Sequence, residues 1–170
     1  MVQALSELCT EWRSWAANAD RSENGWQSDF PRWQSLMDAA KAVMREPAIR
    51  KTDLEDLEFC WAISEETEGL ADYAKENSEA CWQNLCRLAA SLRSEVRWQV
   101  YEALGFAGPR AEDLLIGGLG DPDPYCQRRA ILALTRLRPK DGRELARPFL
   151  SHKDPYIRKS AIELSESSPE

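Results

Sequence analysis

Apolar residues recur at three- and four-residue steps along nearly the whole chain, the periodicity of amphipathic α-helices. Val2, Leu5, Leu8, Cys9, Trp12, Trp15 and Ala16 form the first stripe. Asp20 to Phe30 is polar and contains Gly25, so it reads as a long inter-helix loop. Pro31 suits the first turn of a second helix, with Trp33, Leu36, Met37, Ala40, Val43 and Met44 as its buried face and Pro47 as its stop. Thr52-Asp53-Leu54-Glu55 has the form of a capping box, opening a helix that turns Leu54, Leu57, Trp61 and Ile63 inward. A short helix starting within Ser64 to Glu68 places Leu70, Tyr73 and Ala74 inside. Asn77 or Ser78 then caps a helix burying Cys81, Trp82, Leu85, Leu88 and Ala89. No segment alternates apolar and polar residues over a useful length, so no strand is expected.

From Ser94 the pattern becomes repetitive. Ser94 caps a helix through Leu104, which Gly105, Gly108 and Pro109 terminate. Leu114, Leu115 and Leu119 mark a shorter helix. Gly120-Asp121-Pro122-Asp123-Pro124 is a turn, because a residue before proline is pushed out of the helical region. Tyr125 to Leu137 is a helix stopped by Pro139, and Asp141 to Glu144 is a second capping arrangement opening a helix through Leu150. Ser151 to Asp154 turns into a last helix, Pro155 to Glu166, and Ser167 to Glu170 is expected to fray. Three of these helices are near copies, running Glu95 to Leu104, Tyr125 to Leu134 and Tyr156 to Leu164. Val96, Cys126 and Ile157 are equivalent, at intervals of 30 and 31 residues. Such a period marks stacked repeats, each unable to cover its own apolar face.

The repeat unit is an Asp-Pro turn, an aliphatic-Arg pair, then alanine and leucine at helical spacing. Asp154-Pro155-Tyr156-Ile157-Arg158 with Ala161 and Leu164 carries all of it. Asp123-Pro124-Tyr125-Cys126 with Ala130, Ala133 and Leu134 has Gln127 in place of the arginine, and Val96-Arg97 with Val100, Ala103 and Leu104 lacks the turn. This pattern resembles HEAT-like repeats, in particular the short bacterial type found in phycobilisome lyase-related proteins. The resemblance is specific over residues 94–166, and Pro47-Ala48-Ile49-Arg50 is a degenerate copy. It implies an all-α fold, a right-handed α-solenoid of stacked antiparallel helix pairs forming one domain over residues 1–170. Residues 1–92 would be irregular Trp-rich, acidic helices serving as a cap. It also implies that Arg97 and Arg158 bond to the turn aspartates Asp121, Asp123 and Asp154 and to backbone carbonyls. The second helix of each pair would line a concave groove carrying Trp98, Glu102, Arg128, Arg129 and Lys159.

Charge sharpens this picture. The chain carries a net charge of −7, and residues 1–90 hold 17 acidic against 9 basic side chains. The excess is densest in one segment. Asp53, Glu55, Asp56, Glu58, Glu65, Glu66, Glu68, Asp72, Glu76 and Glu79 face Lys75 as the segment's only cation. Such a field repels phosphates and attracts basic surfaces, so the expected partner is a protein with a basic surface rather than nucleic acid. No apolar run approaches the roughly 20 residues that cross a bilayer, and Met1 to Trp15 lacks a basic n-region, so a cytoplasmic location is expected.

Chemistry adds little. The five cysteines follow no metal or redox spacing and sit in apolar helical patterns, where thiols behave as small hydrophobes. His152 stands alone in a turn, and no phosphate loop, nucleophile elbow or cofactor motif appears. Trp26 sits in a polar loop and is expected to pack onto the N-terminal helices. The resulting expectation is a non-enzymatic protein-binding module. Its sharper form is an immunity-type inhibitor of a basic toxin or nuclease. The alternative is a DNA glycosylase-like protein holding nucleic acid in the Trp98, Arg128, Arg129 and Lys159 groove. A chromophore lyase follows from the repeat subtype alone, and no residue here supplies its chemistry.

Overall fold

The computed structural model describes residues 4–22 and 25–166. Ten α-helices account for most of them: α1 (Leu5–Ala16), α2 (Trp33–Met44), α3 (Lys51–Ile63), α4 (Gly69–Glu76), α5 (Ser78–Leu88), α6 (Ser94–Leu104), α7 (Glu112–Gly118), α8 (Pro124–Leu137), α9 (Gly142–Ala146) and α10 (Pro155–Glu166). No strand occurs among the described residues. The arrangement is an all-α solenoid. Helices α6, α8 and α10 stack in a row, and α7 and α9 pack against α8 and α10 as their pair partners. The N-terminal helices α1, α2 and α3 pack on one another, and α3 and α4 meet α6, which joins the irregular half to the repeats.

The stripes read from sequence are the buried faces. Leu5, Leu8, Cys9, Trp12 and Ala16 of α1, Leu36, Met37, Ala40 and Met44 of α2, and Leu57, Cys60 and Trp61 of α3 belong to one core that continues through Val96, Val100 and Leu104 to Ala130 and Leu134. Trp26 does pack onto the N-terminal helices. Its ring lies 5.6 Å from that of Trp12 and 5.9 Å from that of Trp15, with the Arg21 guanidinium 4.8 Å above it. The Asp-Pro turns that open α8 and α10 are bonded alike. The Asp123 carboxylate accepts from the Tyr125 and Cys126 amides at 2.9 and 3.0 Å, and the Asp154 carboxylate from those of Tyr156 and Ile157 at 2.9 and 3.1 Å. Each aspartate satisfies amides that the first helical turn leaves without partners. Gly118 sets the approach of α7. A Cβ there would lie 2.9 Å from Ala130 Cβ and 3.1 Å from Tyr101 Cζ, so only glycine fits.

Several boundaries differ from expectation. The helix expected to open at Thr52 starts at Lys51, which places Asp53 rather than Glu55 at its third position; Asp53 accepts from the Arg50 amide at 3.2 Å. Ser64 to Thr67 is a turn rather than a helix start, and α4 begins only after Glu68, whose φ of 49° is left-handed. Ser94, Ser78, Asn77 and Asp141 do not cap with their side chains. Arg93 precedes α6, Asn77 instead donates back to the Tyr73 carbonyl at 2.9 Å, and Asp141 pairs with Arg138. The helix expected through Leu150 is broken, with a five-residue α9 followed by a 3-10 turn at Arg147–Phe149 that contains Pro148. The expected fraying of Ser167 to Glu170 lies outside the described residues, as does Val2.

Candidate partner-binding surface

The turn between α3 and α4 is built around Ser64. That residue is buried, its backbone carbonyl accepts from the Thr67 and Glu68 amides at 3.1 and 2.9 Å, and from the Thr67 hydroxyl at 3.0 Å. So tight a loop leaves its other side chains pointing away. Glu65, Glu66 and Glu68 reach the N-terminal ends of α6 and α8, where they meet Ser94, Glu95, Trp98, Asp123 and Tyr125 around an open cavity of about 450 Å³. Glu65 is partly buried in this convergence. Burial, with the neighbouring charges of Glu95 and Glu66, raises its pKa above the ordinary glutamate value, and the Trp98 side chain partly offsets this.

The aromatic wall of the cavity is held from behind. Trp98 is 8% exposed and meets Tyr125 edge-on, with ring centroids 5.4 Å apart. The Arg129 guanidinium lies 4.9 Å from the Trp98 ring and 5.0 Å from that of Tyr125, and donates to the Tyr125 hydroxyl at 2.6 and 3.1 Å. Arg129 also pairs with Glu102, whose other oxygen accepts from Lys75 of α4 at 2.9 Å. A second cavity of about 400 Å³ adjoins the first. It shares Asp123 and Tyr125 and adds Pro124, Arg128, Asp154 and Tyr156.

The acidic segment therefore divides. Asp53 pairs with Arg50, Glu55 with Lys51, Asp56 with Arg13 of α1, and Asp72 with Lys75, while Glu79 meets Arg110. Cations from outside the segment thus neutralise much of what looks uncompensated in the sequence. Glu76 is exposed and Glu58 partly buried, and neither lines the cavity. Glu65, Glu66 and Glu68 alone converge on it.

The expected concave row is mostly occupied with itself. Trp98 is buried rather than displayed, because the acidic turn and Tyr125 close over it. Glu102 and Arg129 neutralise each other, and Arg128 Nε donates to Ser160 Oγ at 2.8 Å. Lys159 is largely exposed and lies 3.8 Å from Glu163. His152 serves its turn. Its Nδ1 accepts from the Asp154 amide at 3.0 Å and its carbonyl from Arg158 at 2.6 Å. Cys9, Cys60, Cys81 and Cys126 are buried free thiols and Cys86 is partly exposed. Among the described residues no cluster of His, Cys, Asp or Glu is arranged to hold a metal ion.

Sequence reasoning missed Ser94, Glu95, Asp123, Tyr125 and Tyr156 as cavity residues. The signal was present: Glu95, Tyr125 and Tyr156 are equivalent, each one residue before Val96, Cys126 and Ile157. They form a row along the helix starts, parallel to the Trp98 row.

The duplicated Asp-Pro caps, the stacked row of α6, α8 and α10 and the buried alanines on it describe one repeat unit. Residues 111–165, spanning nearly all of α7 to α10, match the family model of HEAT repeats. These residues are HEAT repeats. No curated protein matches the chain. One similar solved structure is that of an engineered protein from the Northeast Structural Genomics Consortium, 17% identical over 84% of this chain and 68% of that one, with a TM-score of 0.48. HEAT repeats are generally protein-interaction modules. Among the described residues, no helix is long and apolar enough to cross a membrane.

Proposed function

We propose that this chain is a non-enzymatic binding module of HEAT repeats that holds a protein partner by its basic surface. The carrying observation is the convergence of Glu65, Glu66 and Glu68 with Glu95 on one aromatic-walled cavity. Like charges brought together cost the free protein energy; at Glu65 burial first, and then the charges of Glu95 and Glu66, raise the pKa. A partner's lysine or arginine relieves it. Charged receptors of this kind gain mainly in capture rate and selectivity. An immunity-type role, in which the module covers the active cleft of a basic toxin or nuclease, fits these properties. The nucleic-acid reading has less support, since Arg129 is neutralised by Glu102 and Trp98 is covered.

The test is titration calorimetry against purified basic nucleases and toxins at rising salt, with the triple variant Glu65→Lys, Glu66→Lys, Glu68→Lys alongside. The proposal expects salt-sensitive association that the triple variant loses. Association indifferent to charge reversal overturns it.

A further inference from the structure

The two adjoining cavities point to the form of the partner as well as its charge. We infer that they make one groove for an extended segment of the partner, with a lysine or arginine in the first cavity and an apolar or aromatic side chain in the second. This rests on the preceding reading of the acidic cavity. The second cavity supplies the independent observation. Its walls are mainly apolar, formed by Pro124 and the rings of Tyr125 and Tyr156, and Tyr156 stands 70% exposed beside it. Its two carboxylates are already engaged, since Asp123 and Asp154 each accept two amides of their own helix. Arg128 at its edge is held by Ser160. The first cavity shares Asp123 and adds the carboxylates of Glu65, Glu66, Glu68 and Glu95; Glu68 stands at the N-cap of α4 without a side-chain bond to it, and Glu65 meets the Trp98 side chain. The groove therefore changes character along its length, from ionic to apolar.

Spacing sets the register. The first cavity lies at the starts of α6 and α8 and the second at the starts of α8 and α10. Their centres are thus separated by about one helix-to-helix distance, ~8–10 Å. An extended chain covers that in about three residues, at ~3.3 Å each. The groove is read by a cation and an apolar side chain two or three positions apart. Helix N-termini favour anions, but here each is offset by its own carboxylates, Glu95 on α6, Asp123 on α8 and Asp154 on α10.

Fluorescein-labelled nine-residue Gly/Ser peptides test this by anisotropy, with amide and indole NMR shifts reporting position. One peptide carries Arg and Phe three residues apart. Others carry Arg alone, Phe alone, or the pair seven residues apart. The paired peptide should bind at least about fivefold tighter than Arg alone and shift both the Trp98 indole and the Tyr156 amide. Tyr156→Ser, at an exposed position, should reduce it to the affinity of Arg alone; Glu65→Gln with Glu66→Gln should weaken both. Equal binding of the paired and Arg-only peptides, an inert Tyr156→Ser, or equal binding at seven-residue spacing overturns the groove while leaving the acidic cavity intact. Failure of the Arg-only peptide overturns the groove too; if basic proteins then also fail to bind, the acidic reading falls with it.

Discussion

Arg97 and Asp121 face each other in a bidentate ion pair, Nε to Oδ2 at 2.7 Å and Nη2 to Oδ1 at 2.8 Å. The Asp121 carboxylate is almost wholly buried and also accepts from the Tyr101 hydroxyl at 3.0 Å and the Asp123 amide at 2.9 Å, while Arg97 reaches the Ser91 carbonyl at 2.9 Å. One pair thus fastens α6 to the turn before α8. Removing a single partner strands the other charge away from water. Arg97→Ala should cost about 3–5 kcal/mol, lowering the Tm by roughly 10 °C. Arg97→Lys should recover only part of this, since an ammonium cannot match both oxygens. Thermal denaturation followed by circular dichroism checks both.

The same site predicts acid behaviour. Burial raises the Asp121 pKa, but Arg97, the Asp123 amide and Tyr101 together overcome it and hold the carboxyl below its ordinary value. A depressed carboxylate contributes stability above its unfolded pKa and loses it as the pH falls through the folded one. Urea midpoints should therefore fall on acidification below about pH 4, and Asp121→Asn should be destabilised at pH 7 while flattening that fall.

Glu65 runs the other way. Its raised pKa favours the protonated form in the free protein, whereas a bound cation favours the charged form. Affinity for an arginine peptide should rise as the pH climbs past the ordinary glutamate pKa of about 4.3, and then level off. In Glu65→Gln that rise should shrink. A titration series across these pH values decides it.

Glu68 holds a left-handed backbone that glycine adopts without steric cost. Glu68→Gly should raise stability by up to about 1 kcal/mol while weakening capture of basic partners. Chemical denaturation and binding measured on the same variant should move in opposite directions.

Asn84 is fully buried and its amide nitrogen lies 3.1, 3.1 and 2.8 Å from the carbonyls of Val43, Met44 and Glu46, at the end of α2. Its oxygen accepts from Arg87 at 2.7 Å. Asn84→Leu would take the side-chain donor from the Met44 and Glu46 carbonyls, while Val43 keeps the Glu46 amide, and should cost about 1–3 kcal/mol, measured by urea unfolding.

The helices were legible because burial repeats with the helical period, and the C-terminal repeats because their turns carry aspartate and proline at fixed places. Arg97 met Asp121 as the HEAT-like resemblance implied; Arg158 met the carbonyls that it also implied, but those of its own turn, His152 and Lys153, and no turn aspartate. The surface was harder to read. Asp56 looks free in sequence yet pairs with Arg13, forty-three positions away, and only the packing of α1 on α3 reveals it. Trp98 falls outside the apolar stripe of α6 and is covered by residues from two other elements. Asn84 lies among the buried positions of α5 as a polar residue, and its role depends on where α2 ends.

Glu102 holds Lys75 on one side and Arg129 on the other. Lys75 belongs to the helix that follows the acidic turn, and Arg129 braces the rings opposite it. The two jaws of the cavity are consequently leashed to a common post. A guest should find its seat already made, so docking should proceed as lock and key, with little loss of backbone freedom and a modest entropic toll.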